Sequence, residues 1–299
     1  MLLTKNKMLA VADLIRLPKQ YGTLLLMMPT LWSLVLASDG MPSLELLLVF
    51  ALGSFVMRSA GCIINDIADR HFDPFVSRTM DRPIASGRLT VIEAQIVLGV
   101  LLLVAFVLVM RLNWLAIALS PIGLVLAILY PYTKRYLPFP QCFLGLAFGW
   151  GAIMAWAAVR NTLELPVYLI FLANIFWATA YDTLYAIPDK EDDLKLGLKS
   201  TAILFGRHAW WLVGLLLAGF LGSLILVGWV VRLNFIYYLY LLIVGWYCLY
   251  QTWMIKRLQD RQTAFALFKS HVGVGFFLLS GFLMALTVQR LITAAARVL

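Results

Sequence analysis

Two acidic stretches lie about 120 residues apart, each where a long apolar run ends. The first is Asn65-Asp66-Ile67-Ala68-Asp69-Arg70-His71-Phe72-Asp73. The second is Tyr181-Asp182-Thr183-Leu184-Tyr185-Ala186-Ile187-Pro188-Asp189-Lys190-Glu191-Asp192-Asp193. Asn65, Asp69 and Asp73 are four apart, as are Tyr185, Asp189 and Asp193. On a helix that spacing stacks side chains on one face. Carboxylates gathered on one face repel each other unless a cation lies between them. Mg²⁺ prefers hard oxygen ligands and commonly bridges one or two carboxylates to a phosphate. The spacing therefore predicts two halves of one Mg²⁺–diphosphate site, with Asn65, Asp69 and Asp73 on one face and Asp189 and Asp193 opposite. Eight of the 15 acidic residues fall in these two stretches. Acidic side chains contribute little to membrane topology, so a pair of merely solvated faces is a poor account of them.

Cations nearby would take the remaining phosphate charge. The candidates are Arg78 and Arg82 after the first stretch, Lys134 and Arg135 between the two, and Lys190 and Lys199 in or after the second. The competing account of each is a topology determinant facing water. Arg58 lies inside an apolar run, seven residues before Asn65 and so two turns away on the same helix face. A cation within a span costs at least about 2.5 kcal/mol on insertion scales. Placed deeper than the metal ligands, it would receive an anionic group of a second substrate; the alternative is an interhelical salt bridge or snorkelling. Asp182 stands likewise seven residues before Asp189, near Tyr185. It would act on an acceptor proton or pair with a cation, or else make a helix–helix hydrogen bond.

The elements that position these residues follow from composition. Of 299 residues, 63% are hydrophobic and 13% charged, and the mean hydropathy is +0.89. No soluble globular domain has this balance. Apolar runs recur at roughly 22–38, 43–64, 91–110, 113–131, 140–159, 164–187, 209–231, 234–255 and 270–289. Each approaches the ~20 residues that cross a bilayer as a helix. The runs are continuous rather than alternating, which argues against strands. They predict an all-α integral membrane protein of nine spans around a central cavity, with eight or ten allowed where runs crowd together.

With nine spans, 18 of the 24 Lys and Arg residues fall on one side. That side then faces the cytoplasm, with the N-terminus and both acidic stretches, and the C-terminus lies outside. The net charge of +9 is accounted for by this topology and by anionic lipid rather than nucleic acid. The first apolar run reads as a retained span rather than a cleaved leader. Cys62, Cys142 and Cys248 lie in apolar runs without metal spacing and read as core residues. Three long polar loops, 66–90, 188–208 and 256–269, are expected on the cytoplasmic side as a cap. The acidic stretches end the second and sixth spans. One domain, 1–299, is therefore expected, made of two four-helix halves, about 20–131 and 140–255, plus a ninth helix at about 270–289.

The residues resemble a known family. Asn65-Asp66-x-x-Asp69-x-x-x-Asp73 is followed by Arg82-Pro83-Ile84-Ala85-Ser86-Gly87. Tyr181-Asp182-Thr183-x-Tyr185-Ala186-x-x-Asp189-Lys190-x-Asp192-Asp193 is followed by Gly197-x-Lys199-Ser200-Thr201-Ala202, with Tyr130-Pro131-Tyr132-x-Lys134-Arg135 between. In these motifs and their order the chain resembles the UbiA superfamily of intramembrane aromatic prenyltransferases, and within it the branch acting on 4-hydroxybenzoate in bacterial inner membranes. The resemblance implies Mg²⁺ held by Asn65, Asp69, Asp73, Asp189 and Asp193, a polyprenyl diphosphate donor, and transfer to the ring carbon ortho to the phenol of 4-hydroxybenzoate, in ubiquinone biosynthesis. Arg58, Asp182 and Tyr185 would then meet the acceptor, and the isoprenoid tail would remain in lipid through a lateral opening. No protein partner is implied. Relatives with naphthoate, homogentisate or haem acceptors stay open as alternatives. A CDP-alcohol phosphatidyltransferase fits poorly, lacking its single Gly- and Ala-Arg-bearing signature. A transporter with carboxylate relays would need its acids near mid-membrane, whereas these sit at helix ends.

Overall fold

The computed structural model of the chain describes residues 5–258 and 260–298. Its helices are α1 (Lys5–Leu14), α2 (Tyr21–Ala37), α3 (Leu44–Ala68), α4 (Val91–Val109), α5 (Trp114–Tyr136) and α6 (Pro140–Arg160). They continue with α7 (Leu165–Ala186), α8 (Lys190–Lys195), α9 (Thr201–Phe205), α10 (Ala209–Val230), α11 (Phe235–Arg257) and α12 (Arg261–Val298). There is no strand among the described residues. Eight helical segments are long and apolar enough to cross a membrane, and α2 is a ninth, shorter apolar helix of 17 residues. All nine expected runs are therefore helical.

Local chemistry sets where these helices begin. Ser43, Asn113 and Asn234 cap α3, α5 and α11 by accepting backbone N–H bonds with their side chains. Thr90 and Glu93 form a reciprocal capping box on α4. Two elements depart from the expected bounds. The second span continues past its apolar run to Ala68, so Asn65 and Asp66 are helical and Asp69 is the C-cap. The expected 256–269 loop is mostly helix: α11 runs to Arg257 and α12 starts at Arg261. The Asp260 carboxylate accepts the Thr263 N–H at 2.8 Å, and no Gly or Pro interrupts the chain from 260 to 272. At about 1.5 Å per residue, the 38 residues of α12 extend roughly 57 Å, well past a ~30 Å hydrocarbon core.

α7 is the most enclosed of the long helices, packed against α2, α6, α10 and α12. Around it, α3 joins α2 to α4, α5 leans on α6, and α11 lies between α10 and α12. At the centre Trp32 meets Trp177 at 5.0 Å between ring centroids, and Trp177 stacks on Phe220 at 5.5 Å. Polar bonds fasten the helices where lipid offers no competing partner. Trp32 Nε1 donates to the Gly275 carbonyl at 3.0 Å, Ser33 Oγ to Ala152 at 2.7 Å and Asn174 Nδ2 to Gly145 at 2.8 Å. By contrast α4 barely touches α5, and a cavity opens there.

Candidate active site

A cavity of about 1410 Å³ runs from the ends of α3 and α7 into the membrane-spanning part of the molecule. Its walls there are apolar, with Leu102 and Phe106 from α4, Leu124 from α5 and Leu144 and Phe148 from α6. Phe106 and Met110, from α4 and its C-cap, line the cavity and are 61% and 53% exposed.

The mouth of the cavity is polar, and its carboxylates are buried. Asn65, at the end of α3, donates from Nδ2 to Asp69 Oδ2 at 3.1 Å. Asp69 and Asp73 keep the four-residue spacing through a tight turn beyond the helix, in which the Asp73 N–H meets the Asp69 carbonyl at 2.9 Å. Asp189 and Asp193 do the same across the start of α8, again at 2.9 Å. Both stretches line the one cavity. Three of these four carboxylates, those of Asp69, Asp73 and Asp189, each pair with a cation. Lys134 of α5 is paired with Asp69. Arg82 Nη1 spans both oxygens of Asp73, at 2.9 and 3.1 Å. Arg78 reaches across from the first loop to Asp189, its Nε 2.8 and 2.9 Å from the two oxygens, and also donates to the Tyr185 hydroxyl while lying 4.5 Å over that ring. A second tie between the loops runs from Ser77 Oγ to Asp192 Oδ2 at 2.8 Å.

Burial and crowding perturb these acids. Asp73 is pushed above the usual carboxylate range by desolvation, which the Arg82 charge only partly offsets. Asp193 is pushed up to about 6, by desolvation first and then by the neighbouring Asp189 charge. Its side chain makes no hydrogen bond or ion pair among the described residues. The Asp69 Oδ1 atom is buried without a hydrogen-bond partner, with Arg135 at 3.7 Å as a cation nearby. Buried oxygens of this kind, with an asparagine beside them, suit a hard cation such as Mg²⁺. No three His, Cys, Asp or Glu side chains among the described residues close up into a metal cage.

The other expected cations divide. Lys199 lines the mouth, with Nζ bonded to the Tyr136 carbonyl at 2.9 Å. Arg135 stands behind the wall, donating to the Ala68 carbonyl at 2.6 Å and lying 5.2 Å over both Phe72 and Tyr132. Lys190 also lies off the cavity wall, with Nζ near Gly206. Deeper in the cavity, the Arg58 guanidinium is 2.8 Å from Cys62 Sγ and 5.6 Å over the Phe148 ring. It has no carboxylate within ion-pair distance among the described residues, so the salt-bridge account of it does not hold. Gly22 makes its place, since a Cβ there would come within 2.5 Å of Nε. Asp182 lines the same cavity, and among the described residues its side chain makes no helix–helix hydrogen bond. Five residues of the cavity wall were not anticipated in the site. Arg16 lines the mouth from the turn before α2, Tyr130 lines the cavity from α5, and Arg261, Phe265 and Phe268 come from the start of α12. Reading 256–269 as a loop hid the last three, although Asp260 is a helix N-cap candidate.

Fold and cavity together define a multi-pass membrane enzyme of the prenyl-transferring class. The family model for the UbiA prenyltransferase family matches residues 26–291, and the chain belongs to that family. It is 49% identical over 273 residues to a 4-hydroxybenzoate octaprenyltransferase of Tolumonas auensis, covering 91% of this chain and 95% of that one. It is 47% identical over 283 residues to the 4-hydroxybenzoate octaprenyltransferase of Salmonella paratyphi B, covering 95% and 97%. Among solved structures, a UbiA homolog from Aeropyrum pernix K1 superimposes with a TM-score of 0.76 at 22% identity, covering 87% of this chain and 97% of that one. A UbiA homolog from Archaeoglobus fulgidus, solved bound to GPP and Mg²⁺, gives 0.68 at 17% identity, covering 91% and 99%. At these identities the two structures speak for the fold.

Proposed function

We propose that the chain transfers a polyprenyl group from polyprenyl diphosphate to the ring carbon ortho to the phenol of 4-hydroxybenzoate, with Mg²⁺, as a step of ubiquinone biosynthesis in a bacterial inner membrane. The observation that carries this reading is one cavity with two acidic stretches and their cations at its mouth, a lone guanidinium below them, and apolar walls. Relatives at 47–49% identity over nearly the whole chain support the choice of substrates.

Asn65, Asp69, Asp73, Asp189 and Asp193 would hold the metal, which would supply positive charge against the departing diphosphate. Arg78, Lys134 and Lys199 exchange their present partners for phosphate oxygens, and Arg82 gives up Asp73 for them while staying by Asp66. Arg135 braces Asp69 from behind, and Lys190 serves the second loop rather than the phosphate. As the C–O bond of the donor breaks, the allylic cation forms between apolar walls that exclude water. The acceptor is held by its carboxylate on Arg58, with its ring toward Tyr185, so that the ortho carbon meets the cation. A C–C bond forms and the ring loses a proton, for which Asp182 is the nearest free carboxylate along α7. The cytoplasmic orientation of the mouth rests on the basic-residue asymmetry. The division into two four-helix halves plus α12 is supported by the matching places of the acidic stretches after α3 and α7.

An acceptor panel tests the reading. Isolated membranes receive one long prenyl diphosphate with 4-hydroxybenzoate, a dihydroxynaphthoate or homogentisate, and products are scored by mass. Prenylated 4-hydroxybenzoate, lost on chelating Mg²⁺, is the expected result; preference for another acceptor overturns the assignment.

A further inference from the structure

The motif Asn65-Asp66-x-x-Asp69-x-x-x-Asp73 contains three aspartates, and only two of them reach the cavity. Asn65, Asp69 and Asp73 line it; Asp66 does not. The reason is helical geometry. Asp66 is one residue past Asn65 and three before Asp69, so it is turned about 100° and 60° from them around the axis of α3. Its side chain is fully buried, whereas Arg16 and Arg82 remain partly exposed, at 23% and 17%.

Asp66 Oδ1 accepts from Arg16 Nη2 at 2.6 Å and lies 3.2 Å from Arg82 Nη1. Both arginines line the mouth of the cavity. One buried oxygen thus holds two guanidinia that come from different segments: the turn between α1 and α2, and the loop after α3. The same Arg82 nitrogen also meets Asp73 at 2.9 Å. Arg16 adopts φ +58°, in the left-handed region that non-glycine residues seldom occupy. Such conformations persist where the surroundings over-determine them, and here the ion pair and a 2.9 Å bond from Arg16 Nη1 to the Asp13 carbonyl do so.

We infer that Asp66 is a positioning residue and not a metal ligand: it sets Arg16 and Arg82 at the mouth, and through them adds Arg16 to the groups that receive the donor's diphosphate. The inference rests on the diphosphate site proposed above. The competing role is ligation through Asp66 Oδ2, which is buried and has no hydrogen-bond partner. An ion bound there would lie off the cavity wall, as Asp66 itself does.

The test compares Asp66→Asn, Asp69→Asn and Arg16→Gln in the full chain purified in detergent. Inorganic diphosphate binding is followed by calorimetry at saturating Mg²⁺, and the Mg²⁺ needed for half-maximal binding at saturating diphosphate is measured separately. Asp66→Asn should weaken diphosphate about tenfold, as expected for mis-set charge-assisted bonds, and leave the Mg²⁺ requirement within about twofold. Asp69→Asn should instead raise the Mg²⁺ requirement about tenfold or more. Arg16→Gln leaves Asp66 in place and should reproduce the diphosphate defect in weaker form, which keeps the test decisive if Asp66→Asn does not fold. A Mg²⁺ requirement that rises in Asp66→Asn as it does in Asp69→Asn would make Asp66 a ligand. Unchanged diphosphate binding in Arg16→Gln, or in a folded Asp66→Asn, would equally overturn the inference. Failure of the underlying site looks different: Asp69→Asn would then bind Mg²⁺ and diphosphate like the unsubstituted protein.

Discussion

Arg78 comes from the loop after α3 yet pairs with Asp189 at the start of α8, so one acidic stretch is neutralised by a cation from the other's loop. Removing either acid should therefore affect the shared site and not membrane insertion. Asp69→Ala and Asp189→Ala are each expected to lower turnover by about 100-fold or more, the scale on which removal of a preorganised electrostatic group acts. Initial rates at saturating Mg²⁺, beside immunoblots of the membrane fraction, check this; normal turnover in either variant removes that residue from the site. Arg58 makes a separable prediction. A charge-assisted bond contributes about 1.5–3 kcal/mol, so Arg58→Ala should raise the acceptor KM about tenfold or more while the donor KM moves little. Arg58→Lys should recover only part, because an ammonium cannot form the planar fork. Steady-state kinetics in both substrates decide it, and a rise in donor KM alone would assign Arg58 to the diphosphate.

Between the helices, close approach replaces the hydrophobic drive that lipid removes. Gly145 of α6 lies so near α7 that a Cβ would stand 2.9 Å from the Ile175 Cα and 3.0 Å from its carbonyl oxygen. Backbone cannot swing aside, so Gly145→Ala should cost about 1–3 kcal/mol through overpacking and lower the thermal midpoint in detergent by several degrees. Gly99 of α4 has nothing within 4 Å of such a Cβ, and Gly99→Ala should hold or raise the midpoint. Equal midpoints for the two variants would refute the packing argument. These elements also separate what was legible in the chain from what was not. The nine apolar runs declared themselves because a span must be apolar along its whole length. The start of α12 did not, because Lys256, Arg257, Arg261 and Lys269 read as loop cations while a helix N-cap candidate lay among them. The acidic stretches were legible through spacing alone. Which cation meets which acid was not: Arg78 reaches Asp189, and Arg135 turns to the Ala68 carbonyl, only once two distant loops have folded onto each other.

For the molecule as a whole, nine spans, the eight long apolar segments and the shorter α2, would put the two ends of the chain on opposite sides of the membrane. A reporter fused at the C-terminus should be active only where it works outside the cytoplasm, and one placed in the 69–90 loop only inside; the reverse pattern would turn the mouth of the cavity outward. The cavity wall beside α4, where Phe106 and Met110 are exposed, has a kinetic meaning as well if the donor enters there. A donor that enters from the bilayer is a solute of the membrane and not of the cytosol, so its effective concentration is a mole fraction in a two-dimensional phase. Adding inert lipid or detergent at constant total donor should slow the enzyme in proportion to the dilution of that surface. The same addition should leave the dependence on acceptor and Mg²⁺ untouched, since both arrive through water. The enzyme would thus respond to how crowded its membrane is with isoprenoid, whatever the volume of the cell around it.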